Sequence, residues 1–214
     1  MLYNLHTHTG SGNPDVFEIV NRYPYEALDV PYFSTGIHPW HIDIKKTNEH
    51  LAVIEQRLKQ DNCLALGECG LDKRIDIPLD IQAKVFEKQL LLAKQYQKPV
   101  ILHLVAAFQE LIEIKNRLQP GVPMIIHGFS KNIQVAKHLL DNGFYLSFGK
   151  YLLRNPELSE VFANIPDEHF FLETDTIDEG IAAVYAKAAL ARNVTIEELK
   201  NNVTKNFKNI FKNG

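Results

Sequence analysis

The sequence predicts an α/β fold, a compact (β/α)8 TIM barrel, and three observations carry that expectation. Eight short apolar runs rich in β-branched and aromatic residues recur along the chain, most of them followed by an amphipathic stretch of helical length. The runs are nearly continuous in apolar residues rather than alternating, which suits parallel strands buried on both faces. Histidines and carboxylates stand at the C-terminal ends of these runs, on the rim where the loops of such a barrel converge.

The first run, LYNL at 2–5, and the second, VFEIV at 16–20, are separated by about ten residues, too few for the crossover helix that parallel strands need. The early crossover helices should therefore be shortened or missing. That also accounts for a length of 214 residues against the roughly 250 typical of the fold. The third run, YFSTG at 32–36, leads to EHLAVIEQRLKQ, a helix with Leu51, Ile54 and Leu58 on one stripe. The fourth, LALGE at 64–68, is followed by a long helical segment from Ile81 that ends before Pro99. PVILH at 99–103 precedes FQELIEIKNRL, whose apolar side carries Leu111, Ile114 and Leu118 and which stops at Pro120–Gly121. PMIIH at 123–127 precedes NIQVAKHLLDNG, closed by Gly143 in a helix-terminating pattern. FYLSF at 144–148 and FFLET at 170–174 complete the strands. The tail reads as two helices split near Asn193, the second opened by a capping box from Thr195 to Glu198, with Lys205, Lys208 and Lys212 as a solvated face.

At 45% hydrophobic residues the chain can bury a sizeable core, and residues 1–214 read as a single domain. A net charge of −3 provides no global attraction to nucleic acid or to an anionic membrane, so a polyanionic substrate would have to be held locally. Cys63 and Cys69 form neither a CxxC pair nor a disulfide framework, which fits a reduced, cytoplasmic setting. No apolar run reaches the ~18 residues of a membrane span, and no leader pattern opens the chain.

In a strand, residues i and i+2 point to the same side, so His6 and His8 emerge together at the end of the first run. Glu68 ends the fourth run, His103 the fifth and His127 the sixth, while Asp175 follows the eighth. Imidazoles and carboxylates without thiolates suit Zn²⁺, Mn²⁺ or Mg²⁺. Six donors exceed what one catalytic ion needs. Two divalent ions about 3.5–4 Å apart, sharing a bridging carboxylate, would use them all, and that arrangement hydrolyses phosphoesters. His38, in GIHPW, follows the third run and is a candidate for orienting substrate or an ion-bound water. Asp72, in GLD, is a candidate for supporting a ligand by hydrogen bonding, with ordinary turn chemistry as the alternative. Lys73 and Arg74 are rim charges, Cys69 is a buried filler facing away from the Glu68 side, and His50, His138 and His169 lie off the rim.

The motifs also resemble, nearly end to end, the TatD family of metal-dependent deoxyribonucleases within the amidohydrolase-like barrels. NLHTH is similar to that family's DxHxH, TGIHPW to its GxHP, LGECGLD to its GExGLD, VILHL and IIHGFS to its two later His motifs, LSFG to its SxxG segment and LETD to its final acid. The resemblance implies that His6, His8 and Asp175 hold one ion, His103 and His127 the other, and that Glu68 bridges. It implies a two-ion phosphodiesterase acting on DNA, with Asp175 taking the proton of the attacking water and Glu68 the second catalytic carboxylate. The net charge of −3, Val105 and the short segment after Asp175 narrow the expected substrate to short or single-stranded DNA.

Four departures bear on substrate. Asn4 stands where the family commonly has Asp, Val105 where it has Arg, and Lys150 where a second Gly is common; TIDEGIAAVY enters a helix without the usual longer loop after Asp175. The ligand set is complete while the substrate-facing surface is trimmed. A second expectation therefore keeps the two ions but changes the bond, to a small ester, lactone, amide or phosphomonoester. A third, a non-catalytic metal-binding protein, is disfavoured because a structural site needs no open coordination position.

Overall fold

A computed structural model describes residues 1–211; Lys212 lies outside the described residues. The chain runs β1 (Leu2–Thr7), β2 (Val16–Asn21), β3 (Phe33–Thr35), α1 (Thr47–Leu58), β4 (Cys63–Asp72), α2 (Leu79–Tyr96), β5 (Val100–Val105) and α3 (Phe108–Leu118). It continues through β6 (Met124–Ile126), α4 (Ile133–Asp141), β7 (Tyr145–Phe148), α5 (Lys150–Arg154), α6 (Pro156–Ala163), β8 (Phe170–Leu172), α7 (Ile181–Arg192) and α8 (Ile196–Ile210). The strands form one eight-stranded sheet in the order β1 to β8, the succession of the (β/α)8 class. No helix occurs between β1 and β2 or between β2 and β3. No helix of the described residues is long and apolar enough to cross a membrane.

The described residues pack into two compact units, one of Met1–Val20 with the chain from Ile125 onward, the other of Asn21–Met124. In the first, β1 pairs in parallel with β2, and β7 with both β6 and β8. The end of β8 is tied to β1: the Thr174 and Asp175 amides donate to the His6 carbonyl, and the His8 amide donates to the Asp175 carbonyl at 3.1 Å. Sequence-distant ligand candidates are thus aligned by backbone. Helix α7 is stapled to β1 by Tyr185, whose hydroxyl accepts from the Tyr3 amide and donates to its carbonyl, each at 3.1 Å. Helix α8 lays Phe207 against Tyr3 and Phe17, with ring centroids at 4.6 and 5.1 Å. It opens with the Thr195–Glu198 capping box.

In the second unit β4 pairs in parallel with β3 and β5. Without a helix to order it, the stretch after β2 is held by a side chain from α1. The buried Arg57 guanidinium donates to the carbonyls of Tyr23, Pro24 and Glu26. Strand β4 extends to Asp72 rather than ending at Glu68, because Gly67 and Gly70, at φ 146° and 144°, keep the chain extended where side chains would not fit. A Cβ on either would collide with the backbone of β5, at Ile101 and His103 respectively. Between the pairs Leu66–Val100 and Cys69–Leu102, β4 spends one more residue than β5, a bulge that contains Glu68.

Candidate active site

In the first unit, His6 is buried and His8 half-buried at the end of β1. Both Nε2 atoms lie 3.6 Å from the same oxygen, Asp175 Oδ1. The Asp175 backbone is left-handed, at φ 55°, a conformation Asp tolerates better than most residues and one fixed here by its bonds to β1. The His127 ring packs 4.6 Å from His6, so that His6, His127 and Asp175 offer donor atoms to one ion. Glu173, buried one turn of the pleat before Asp175, accepts from the Gly128 amide at 2.7 Å and reaches His127 Nδ1 at 3.4 Å. Asn4 is buried and bonds Thr174 twice: its Oδ1 accepts from the Thr174 amide at 3.0 Å and its Nδ2 donates to Thr174 Oγ1 at 2.9 Å. The amide thereby locks the residue preceding Asp175.

In the second unit, Glu68 receives two histidines at one oxygen. His38 Nε2 and His103 Nδ1 are each 3.1 Å from Glu68 Oε1. The Trp40 amide donates to His38 Nδ1 at 3.1 Å, so neutral His38 carries its proton on Nε2 and donates it to Glu68. Burial holds the His38 imidazole below its usual pKa, against the opposing pull of Glu68, which keeps it in that neutral form. His38 therefore steers the carboxylate. His103 Nε2 lies 3.1 Å from Asp72 Oδ2, which also accepts from Trp40 Nε1 at 2.7 Å. Burial pushes the Asp72 carboxyl up, but hydrogen bonds from Trp40, the Arg74 amide and His103 outweigh it and hold the pKa below the ordinary carboxylate value. Two glutamines of α2 brace this wall: Gln82 bonds the Asp72 backbone at both its amide and its carbonyl, and Gln89 does the same for Ile37.

The donor count of His103 tests whether an ion fits. A neutral imidazole has one N–H and can satisfy one carboxylate; here two flank it. With Asp72 taking the Nε2 proton, the Nδ1 lone pair and Glu68 Oε1 face each other, and a divalent cation between them would accept from both. Ligand bonds of about 2.1 Å place neighbouring donors about 3.0 Å apart in octahedral and about 3.4 Å apart in tetrahedral coordination. The separation of 3.1 Å falls within that range, and that of 3.6 Å lies just beyond its upper end.

Several participants lack a strong sequence signal. Trp40 sits in the short 3-10 helix Pro39–His41 and Gln82 and Gln89 on α2, and no motif announces the roles of these three, whereas Glu173 could have been found by its two-residue spacing from Asp175. Cys69 is fully buried, its thiol pushed well above the ordinary value by burial and then by the Glu68 charge.

Strand order and His–carboxylate groups define a metal-dependent hydrolase of the (β/α)8 class. The family model for TatD-related DNases matches residues 5–212, and the chain belongs to that family. A metal-dependent hydrolase of Bacillus subtilis, YabD, is 32% identical over 205 residues, 87% of this chain and 80% of that protein. The 3′–5′ ssDNA/RNA exonuclease TatD of Erwinia tasmaniensis is 30% identical over 156 residues, covering 69% of this chain and 58% of that one. In fold, the Escherichia coli TatD homologue YjjV superposes with a TM-score of 0.78 at 24% identity, over 91% of this chain and 86% of its own.

Proposed function

We propose that the protein is a two-ion phosphodiesterase acting on DNA, short or single-stranded. His6, His8, His127 and Asp175 would be the donors from the first unit, and Glu68 and His103 those from the second, for two ions drawn from Zn²⁺, Mg²⁺ and Mn²⁺. The observation that carries this reading is His103 between two carboxylates, an arrangement that a cation shared by its second nitrogen and Glu68 would satisfy. Bound ions would polarise the phosphoryl oxygens and acidify a water. The chain's own residues do the rest. Asp175 accepts the proton of the attacking water, His38 fixes the orientation of Glu68, and Asp72 fixes the tautomer of His103. Names of relatives such as the Erwinia exonuclease support a nucleic-acid substrate. The free, buried Cys63 and Cys69, the former pushed up to about 12 by burial, support a cytoplasmic setting.

The test is metal analysis of the purified protein, then rates on single- and double-stranded DNA, RNA and small phosphoesters, with and without chelator. Chelator-sensitive cleavage of DNA is expected. Hydrolysis of a small ester with every nucleic acid untouched would transfer the assignment to the small-substrate reading, which the trimmed contacts at Val105 and after Asp175 favour.

A further inference from the structure

The second unit carries an exposed aromatic surface that the metal chemistry does not use. Trp40 is 58% exposed and Tyr25 60%. Trp40 is nonetheless fixed in place: its indole Nε1 donates to Asp72 at 2.7 Å and its amide donates to His38. The ring stands edge-on to His38 and His103, with centroids at 5.1 and 5.7 Å. Tyr25 stacks on Tyr23 at 5.7 Å, and Tyr23 meets the His41 ring at 4.9 Å, itself 5.6 Å from His38. An aromatic track therefore leads from Tyr25 to the residues around Glu68.

An indole anchored at its edge and left largely to solvent beside phosphate-cleaving groups has the properties of a stacking platform. Every nucleobase offers a π-face, and stacking grips a strand without sequence preference. A net charge of −3 leaves little general attraction for phosphate, so contacts to bases matter more here than in a basic nuclease. Bases inside a duplex are already stacked and cannot also stack on a side chain.

We propose that Trp40 holds an unpaired nucleobase of the substrate strand, so that the adjacent phosphate is presented to the Glu68–His103 ligands. Because the ring is 5.7 Å from His103, one nucleotide can place its base on the indole and its phosphate at the ligands. This rests on the phosphodiesterase reading and adds a specificity-determining residue to it.

The test compares decathymidylate with an abasic phosphodiester strand of equal length and charge on the metal-loaded enzyme. KM for the thymidylate strand should be about 10-fold lower, a modest stacking effect. Trp40→Phe should keep most of that ratio, since it retains a ring, and Trp40→Ala should bring it close to one. Both strands share the same chemistry, so any disturbance of Asp72 in the variants cancels in the ratio. Trp40 is the only tryptophan in the chain, so rapid mixing should show its fluorescence quenched by decathymidylate and not by the abasic strand. Equal KM values in the wild type, a ratio retained in Trp40→Ala, or the absence of quenching would overturn the platform while the phosphodiesterase assignment stands. Failure to cleave either strand in the presence of metal would overturn both.

Discussion

In the unit that holds β4 and β5, histidine nitrogens sit 3.1 Å from Glu68 and Asp72, and the Asp72 carboxylate is braced in turn by Trp40 and by the Arg74 amide. In the unit that holds β1 and β8, His6 and His8 stand 3.6 Å from Asp175, beyond hydrogen-bond reach, and the precision comes from the backbone bridge between the two strands. The same residue types are therefore preorganised in two ways. Hydrogen bonds among side chains link His38, Glu68, His103 and Asp72, and a main-chain bridge aligns Asp175 with β1.

The largest effect should come from the side-chain-held group. Glu68→Ala removes the common acceptor of His38 and His103, and turnover should fall by about 10³-fold or more, a loss of ~4 kcal/mol of transition-state stabilisation. Metal content, measured on the same preparation, should fall as well. A variant with full metal and normal turnover would refute the assignment of Glu68. Asp175→Asn probes the main-chain-held group differently: shape and one oxygen survive, the basic site does not. Metal should be largely retained and kcat should drop by about 10²-fold or more, the usual size of a general-base contribution. An unchanged kcat would remove Asp175 from that role.

Asp72→Asn should be milder. The one remaining oxygen can accept either from Trp40, as Oδ2 does, or from the Arg74 amide, as Oδ1 does, and His103 loses the charged partner at Nε2. Removing such a supporting carboxylate typically costs 10- to 100-fold in metal affinity or activity. Titrating the chelated variant with Zn²⁺ and with Mn²⁺ checks this. Unchanged affinity for both would make Asp72 a turn residue only.

How much of this could be read from sequence follows from the same contrast. The strand ends and the candidate donors standing at them were legible because a parallel strand announces itself as a short apolar run and its last residue is fixed by chain direction. The bulge at Glu68 was not: Gly67 and Gly70 look like breakers, yet they are the residues that let β4 continue against β5. Helices α5 and α6 escaped because Asn155 and Pro156 divide them into pieces of 5 and 8 residues, too short for periodicity to register. The partnership of His38 with Glu68, and of Trp40 with Asp72, depends on residues 30 and 32 positions apart whose approach only the folded chain specifies.

The smallest effect concerns the edge of the second group. Val105 is half-buried, ends β5 and lies on the same side of the strand as His103, two residues away. The neighbouring cation, Lys73, is committed to Glu110 at 2.5 Å, so this edge offers a phosphate little unshared positive charge. Val105→Arg would add a guanidinium able to hold a phosphate by two parallel hydrogen bonds. A few-fold rise in kcat/KM on single-stranded DNA is expected, with the log–log salt dependence steepening by about 0.7, the value for one additional phosphate contact on a single strand. Glu110 could capture the new arginine instead. Combining Val105→Arg with Glu110→Gln separates these outcomes, because the double variant should exceed the single one if Glu110 competes. If the salt slope is unchanged in both variants, the new cation meets no phosphate, and the substrate strand does not pass this edge of the second unit.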